Sequence, residues 1–168
     1  MESICPDMQF KSLYDIQPED LLKRDIRLLI LDLDNTVSPY KVDKVTEKAY
    51  IWASAMKKAG ITLFIVSNNR GRRPECFADQ LGVPYINRAG KPSPRGVQEA
   101  MAYAGVPREN TALVGDQIYT DMLCARLAGV TAILVEPIKF TYPWLQWRYW
   151  LETPFRKTKD TKKEKSND

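Results

Sequence analysis

Three apolar runs decide what this chain can fold into: IRLLILDL (26–33), ITLFIVSNN (61–69) and TALVGD (111–116). Each is continuous rather than alternating, so each predicts a strand covered on both faces. Helical patterns lie between them. TEKAYIWASAMKKAG (46–60) carries Ala49, Trp52, Ala53 and Met56 at helical spacing, Lys57 and Lys58 in its last turn, and Gly60 as a cap. PECFADQLG (74–82) predicts a short helix ended by Gly82, and VPYIN a short strand. In SPRGVQEAMAYAG (93–105), Ser93 is expected at the N-cap, Pro94 at the first helical position and Gly105 at the end. TDMLCARLAG (120–129) and VTAILVE (130–136) predict a last helix and strand. This alternation predicts the α/β class: one Rossmann-like domain, a parallel sheet with helices on both faces.

In such sheets ligands bind at the carboxyl ends of the strands. All three strong runs end in polar residues: Asp32, Asp34 and Thr36; Ser67, Asn68 and Asn69; Gly115 and Asp116, with Asp121 shortly after. Lys91, in GKPSP, follows the short strand. Strand side chains alternate, so Asp32 and Asp34 can face one site while Leu33 points away. With Asp116 they make a carboxylate cluster that is costly unless a hard cation neutralises it. Mg²⁺ suits such a set, bound by oxygen and shared with water and a phosphate. Lys91 supplies a compact positive charge for an anion, and Ser67 with nearby backbone N–H groups supplies hydrogen bonds. One carboxylate of the pair can then stay ionised and attack phosphorus. The other, pushed toward protonation, can donate a proton to the leaving oxygen and later deprotonate water.

Composition narrows the chemistry. The 168 residues include no histidine, which removes Ser-His-Asp and Cys-His catalysis and every His-ligated metal site. Cys5, Cys76 and Cys124 have no CxxC spacing, which argues against a zinc site or a disulfide framework and suits a reducing compartment. No signal-peptide pattern opens the chain, and no run approaches the roughly 20 apolar residues of a membrane span. A cytoplasmic protein is expected, with peripheral attachment at the inner membrane face left open.

The motifs resemble those of the haloacid dehalogenase (HAD) superfamily of aspartyl-phosphate phosphatases: DLDNT, VSNN, GKPSP and GDQIYTD stand in its order. The resemblance implies Asp32 as nucleophile and Asp34 as general acid/base. It implies Ser67, Asn68, Lys91 and Thr36 around the substrate phosphate, with Thr36 orienting the loop. Mg²⁺ would be held by Asp32, the backbone carbonyl of Asp34, and Asp116; Asp121 would meet it through water or pair with Lys91. Only a loop and a helix separate Thr36 from Ser67, and only a short helix and strand separate Ser67 from Lys91, so no cap domain fits. The lead-in CPDMQFKSLYDIQPEDLLKRDIR, with GVPYINRAGKPSP and GDQIYTDMLCARLAG, is similar to the capless subclass III branch of YqeG-type proteins and phosphatidylglycerophosphate phosphatases. That implies removal of phosphate from phosphatidylglycerophosphate to give phosphatidylglycerol. The alternatives are a phosphatase of soluble nucleotide or sugar phosphates and a non-catalytic partner-binding module.

The expected organisation is a lead-in (1–25) packed on the core, a capless core (26–137), an aromatic segment (138–155) and a disordered basic tail (156–168). The tail holds six Lys/Arg and three Asp/Glu and almost nothing apolar. FTYPWLQWRYWLETPF (140–155) has Phe140, Trp144, Trp147 and Leu151 at helical spacing. Two placements suit this stripe: a lipid–water interface, with the basic tail drawn to anionic lipid, or packing on the sheet flank or against a second copy. The expected partner is a phosphorylated substrate, an anionic phospholipid in the first placement. No nucleic acid is expected, and an oligomer is not indicated.

Overall fold

The computed structural model describes residues 4–140 and 142–156. Six parallel strands form one sheet: β1 (Met8–Phe10), β2 (Leu28–Leu31), β3 (Thr62–Val66), β4 (Tyr85–Ile86), β5 (Thr111–Gly115) and β6 (Thr131–Val135). Their spatial order is β1-β6-β5-β2-β3-β4, so β2 and β5 are central and the two short strands guard the edges. Helices α1 (Pro18–Leu22), α2 (Glu47–Lys58), α3 (Arg73–Leu81), α4 (Arg95–Ala104), α5 (Leu123–Ala128) and α6 (Pro143–Glu152) surround it. Chain order and sheet order agree with a single α/β domain.

The continuous runs behave as expected: all four residues of β2 are buried, because alternate side chains enter different cores. Leu29 and Leu31 join Trp52, Met56 and Phe77 on one face, while Leu28 and Ile30 join Val97, Met122 and Ala125 on the other. Full burial of each such side chain contributes roughly 1.5–3 kcal/mol. The lead-in packs here too: Leu13, Ile16 and Leu21 are buried, and Trp52 Nε1 donates to the Ile16 carbonyl at 2.9 Å.

Four local details differ from the sequence reading. Part of the lead-in is a sixth strand, β1, pinned to β6 through Asp7, which accepts from the Ala132 N–H at 2.9 Å and from Arg126 at 2.7 Å. The N-cap of α4 is Pro94 rather than Ser93, and the Ser93 hydroxyl instead accepts from the Arg95 N–H at 3.5 Å. The helix expected over 120–129 begins as a π-helical turn, Ile118–Met122, before α5. Arg156, expected at the start of the disordered tail, is instead buried, and its Nη1 donates to the Asp116 carbonyl at 2.9 Å. Residues 157–168 of that tail lie outside the described residues.

Between Thr36 and Ser67 lie one loop, α2 and β3; between Ser67 and Lys91 lie α3 and β4. Among the described residues no cap domain covers the strand ends. Among the described residues no helix is long and apolar enough to cross a membrane.

Candidate active site

The carboxyl ends of the two central strands, β2 and β5, bring the expected acids together. Asp32, Asp116 and Asp121 are buried, and each places a carboxylate oxygen within 4.8 Å of the others. Lys91 enters from the loop after β4. Its Nζ donates to Asp32 Oδ1 at 2.6 Å and to Asp121 Oδ1 at 2.7 Å, with only 2% of its side chain exposed. One ammonium against three carboxylates leaves a buried excess of negative charge.

Burial, with that excess behind it, sets the titration of the cluster. Burial, then Asp32 and Asp121, hold Asp116 well above the usual carboxylate range. Burial pushes Asp121 up to about 6, although Lys91 pulls it down. Burial by itself would lower Lys91, but Asp121 and Asp32 overcome it and raise it, so the ammonium stays charged.

Each acid is held by its own device. Asp121 lies in the π-helical turn, where its N–H and that of Met122 both donate to the Gln117 carbonyl, at 3.0 and 3.2 Å. Its Oδ2 accepts from the Gln117 N–H at 3.2 Å, so both of its oxygens are engaged. Residue 115 must be glycine for this approach: a Cβ there would lie 2.3 Å from the Asp121 carboxylate carbon. The Thr36 hydroxyl sits between two acids, 3.0 Å from Asp32 Oδ2 and 3.5 Å from Asp116 Oδ1. Having one proton, it serves one acid at a time.

Asp34 is set apart from the buried trio. Asn69 Nδ2 donates to its Oδ2 at 3.0 Å and Arg73 Nη1 to its Oδ1 at 2.6 Å. Burial still raises its carboxyl above the usual range, against the pull of Asn69 and Arg73, with Asp32 adding to the rise. Ser67 is buried; its oxygen accepts the Asn69 N–H at 3.1 Å, and its own proton has no acceptor among the described residues. Asn68 is exposed. Its amide clamps the Lys91 backbone, donating to the carbonyl at 3.0 Å and accepting the N–H at 2.7 Å.

Two functional neighbours were not singled out from sequence, Arg73 and Arg156. Arg73 is one of several arginines in RGRRPE, and nothing local says which one reaches Asp34. Arg156 fell in a charged tail, although its spacing from Glu152 is that of a helical ion pair. Asn35 takes the left-handed conformation, φ +64°, that asparagine tolerates. It ties the DLDNT loop to the segment before α6: its Nδ2 donates to the Lys139 carbonyl at 2.7 Å, and its carbonyl accepts the Ile138 N–H at 3.1 Å.

The comparison that decides the family is with the protein named probable phosphatase YqeG of Bacillus subtilis (strain 168). It is 36% identical over 133 residues, which cover 79% of this chain and 77% of that one. The chain belongs to the HAD hydrolase family. A HAD-hydrolase-like family model matches residues 88–146, the stretch of this HAD chain that carries Lys91, Asp116 and Asp121. Phosphatidylglycerophosphate phosphatase 1, chloroplastic, of Chlamydomonas reinhardtii is 25% identical over 119 residues, 66% of this chain and 44% of that protein. Ribonucleotide monophosphatase NagD of Escherichia coli (strain K12) is 32% identical over 105 residues, 57% of this chain and 40% of that one. The chain thus spans less than half the length of these two relatives. The cobalt-bound deoxy-D-mannose-octulosonate 8-phosphate phosphatase of Haemophilus influenzae superposes with a TM-score of 0.56 at 15% identity, covering 74% of this chain and 75% of that one. The Moraxella catarrhalis 3-deoxy-D-manno-octulosonate 8-phosphate phosphatase, in complex with magnesium, phosphate and KDO, gives 0.51 at 15% identity over 68% of this chain and 80% of that one. At that identity the likeness concerns the fold alone.

Proposed function

We propose that this HAD phosphatase is a Mg²⁺-dependent phosphomonoester hydrolase that carries the phosphoryl group on Asp32. Its proposed substrate is phosphatidylglycerophosphate and its product phosphatidylglycerol. The observation that carries the chemistry is the buried trio Asp32, Asp116 and Asp121 facing a single ammonium, Lys91. Three close carboxylates in a buried site fit an oxygen-seeking divalent cation. Asp32, Asp116 and the backbone carbonyl of Asp34 would hold Mg²⁺. Asp121, with both oxygens engaged, would meet the ion through water while holding Lys91. The bound ion would neutralise phosphate charge beside the acids.

The remaining roles belong to the chain. Lys91 holds Asp32 in place, and the Asp32 carboxylate attacks phosphorus. The Ser67 hydroxyl donates to a phosphate oxygen. Asp34 gives its proton to the departing alcohol, then takes one from the water that cleaves the phosphoaspartate. Arg73 and Asn69 hold the Asp34 carboxylate in place, and Asn68 positions Lys91 through its backbone.

Three observations support a lipid substrate. Among the described residues nothing caps the strand ends, so a large or membrane-bound substrate can approach. Helix α6 turns Trp144, Trp147, Trp150 and Leu151 outward, with 53, 70, 70 and 46% exposure. Leu145 and Glu152 are its buried residues, so the aromatic stripe is not spent on this chain's own core. Trp at this density suits a lipid–water interface, and a peripheral place on the membrane follows. The third support is the name of the Chlamydomonas relative. The likeness to NagD favours a second reading, a phosphatase of soluble nucleotides. Phosphate release from phosphatidylglycerophosphate in mixed micelles separates the two, with ribonucleoside monophosphates and sugar phosphates alongside and Asp32→Asn as the blank. Mg²⁺-dependent release from the lipid alone is expected; release from nucleotides alone would transfer the assignment to the second reading.

A further inference from the structure

We propose that Arg70 and Arg88 form a second anion subsite beside the reaction centre, which takes the phosphodiester of a substrate bearing two phosphates. This rests on the reading of Asp32 as the centre of phosphomonoester hydrolysis and names what holds the rest of the substrate.

A cavity of about 390 Å³ is lined by Asn68, Arg70, Arg88 and Gly90. That volume is in the range of small-ligand sites. Arg70 follows β3 and Arg88 follows β4, and these strands are neighbours, with Val66 opposite Ile86. The two loops are tied together where the Arg88 N–H donates to the Asn69 carbonyl at 3.1 Å. Both arginines are exposed, and neither makes an ion pair among the described residues. Arg72, Arg73 and Arg126, by contrast, are each matched with an acid. Arg88 also takes a left-handed backbone, φ +49°, that side-chain-bearing residues rarely adopt, and such positions cluster at binding sites.

Asn68 is the shared wall between this cavity and the acids. It lines the cavity, and its amide grips the backbone of Lys91, whose Nζ is 2.6 Å from Asp32. An anion seated on the arginines is therefore one residue removed from the phosphate proposed to react. A substrate with a phosphomonoester and a phosphodiester joined by glycerol has this character: one group for Asp32, the other for two guanidinium forks that match phosphate oxygens. A nucleoside monophosphate has only the first group and would leave the pair unused.

Calorimetry tests the subsite without turnover. The titrants are deacylated phosphatidylglycerophosphate, which keeps both phosphates, and glycerol 3-phosphate, which has one. The proteins are Asp32→Asn and the same protein with Arg70→Ala and Arg88→Ala, all in Mg²⁺. The arginine changes are expected to weaken the two-phosphate ligand by about 10- to 100-fold and glycerol 3-phosphate by less than about threefold. Unchanged melting temperature would show that the fold is kept, as exposed arginines predict. Equal losses for both ligands, no preference for the two-phosphate ligand in the parent, or no binding of it at all would overturn the proposal. Phosphate release by the unmodified protein is followed separately; its absence would sink the hydrolase reading while the binding data still judge the subsite.

Discussion

Asp121 reaches Lys91 because residue 115 has no side chain. Gly115→Ala would drive a methyl group into the Asp121 carboxylate, so the acid must leave Lys91 or the turn must shift. The Mg²⁺ concentration for half-maximal activity is expected to rise about tenfold, as when a supporting partner of a metal site is removed. Arg73 acts on the other acid. Arg73→Ala leaves Asp34 held by Asn69 alone, and kcat is expected to fall about tenfold with the Mg²⁺ requirement unchanged, since the acid is present but poorly aimed. A Mg²⁺ titration of each variant checks both. At this scale the four motifs were legible because each acid or amide ends a recognisable strand. Arg73 and Arg156 were not: sequence gives the sign of a charge but not which distant loop it meets. The amide of Asn68 grips the Lys91 backbone, a partner that leaves no mark in composition.

The long elements were legible, as was the short strand β4 within VPYIN, but β1 was not. Strands β2, β3, β5 and β6 and helices α2 and α4 have enough residues for a pattern; β1 has three and shows none. The π-helical turn is invisible for another reason: it differs from a helix by one residue per turn, within the error of any boundary reading. Helix α6 showed its stripe plainly, but the stripe could not say whether it faced in or out. The structure turns it outward and fastens the helix end through Arg156, which bonds Glu152 at 3.3 Å, the Val135 carbonyl at 3.2 Å and the ring of Tyr149. Arg156→Ala would leave the buried Glu152 carboxyl without that partner. A loss of about 3 kcal/mol is expected in urea unfolding, the usual result of breaking one side of a buried pair. Trp147→Glu with Trp150→Glu touches only the exposed face. Flotation with anionic liposomes is expected to drop severalfold while activity on a soluble phosphoester stays; unchanged flotation would take α6 out of the lipid account.

For the molecule as a whole, the sheet order places two acid-bearing strands side by side at its centre and leaves their ends uncovered. The α/β class and parallel sheet followed from alternation alone; the edge strand β1 and the order of pairing needed the three-dimensional packing. The acid cluster also links stability to pH. In the metal-free protein Asp121 is raised from 3.8 to about 6 and Asp116 is raised too, so the fold favours their protonated forms. The stability Asp121 contributes is full below its unfolded value and is lost as pH rises through about 6, and Asp116 acts in the same direction. Mg²⁺ favours the ionised cluster, so the melting-temperature gain on adding it is expected to be larger at neutral pH than in mild acid. A gain that does not change with pH would contradict the placement of the ion among these acids.

The central claim is that Asp32 carries the phosphoryl group. Acid-quenched turnover with phosphate-labelled substrate, followed by peptide mapping, tests it most directly. The account predicts hydroxylamine-labile label in the peptide containing Asp32, formed only with Mg²⁺ and absent in Asp32→Asn. Rapid phosphate release with no label on that peptide, or undiminished release by Asp32→Asn, would contradict it.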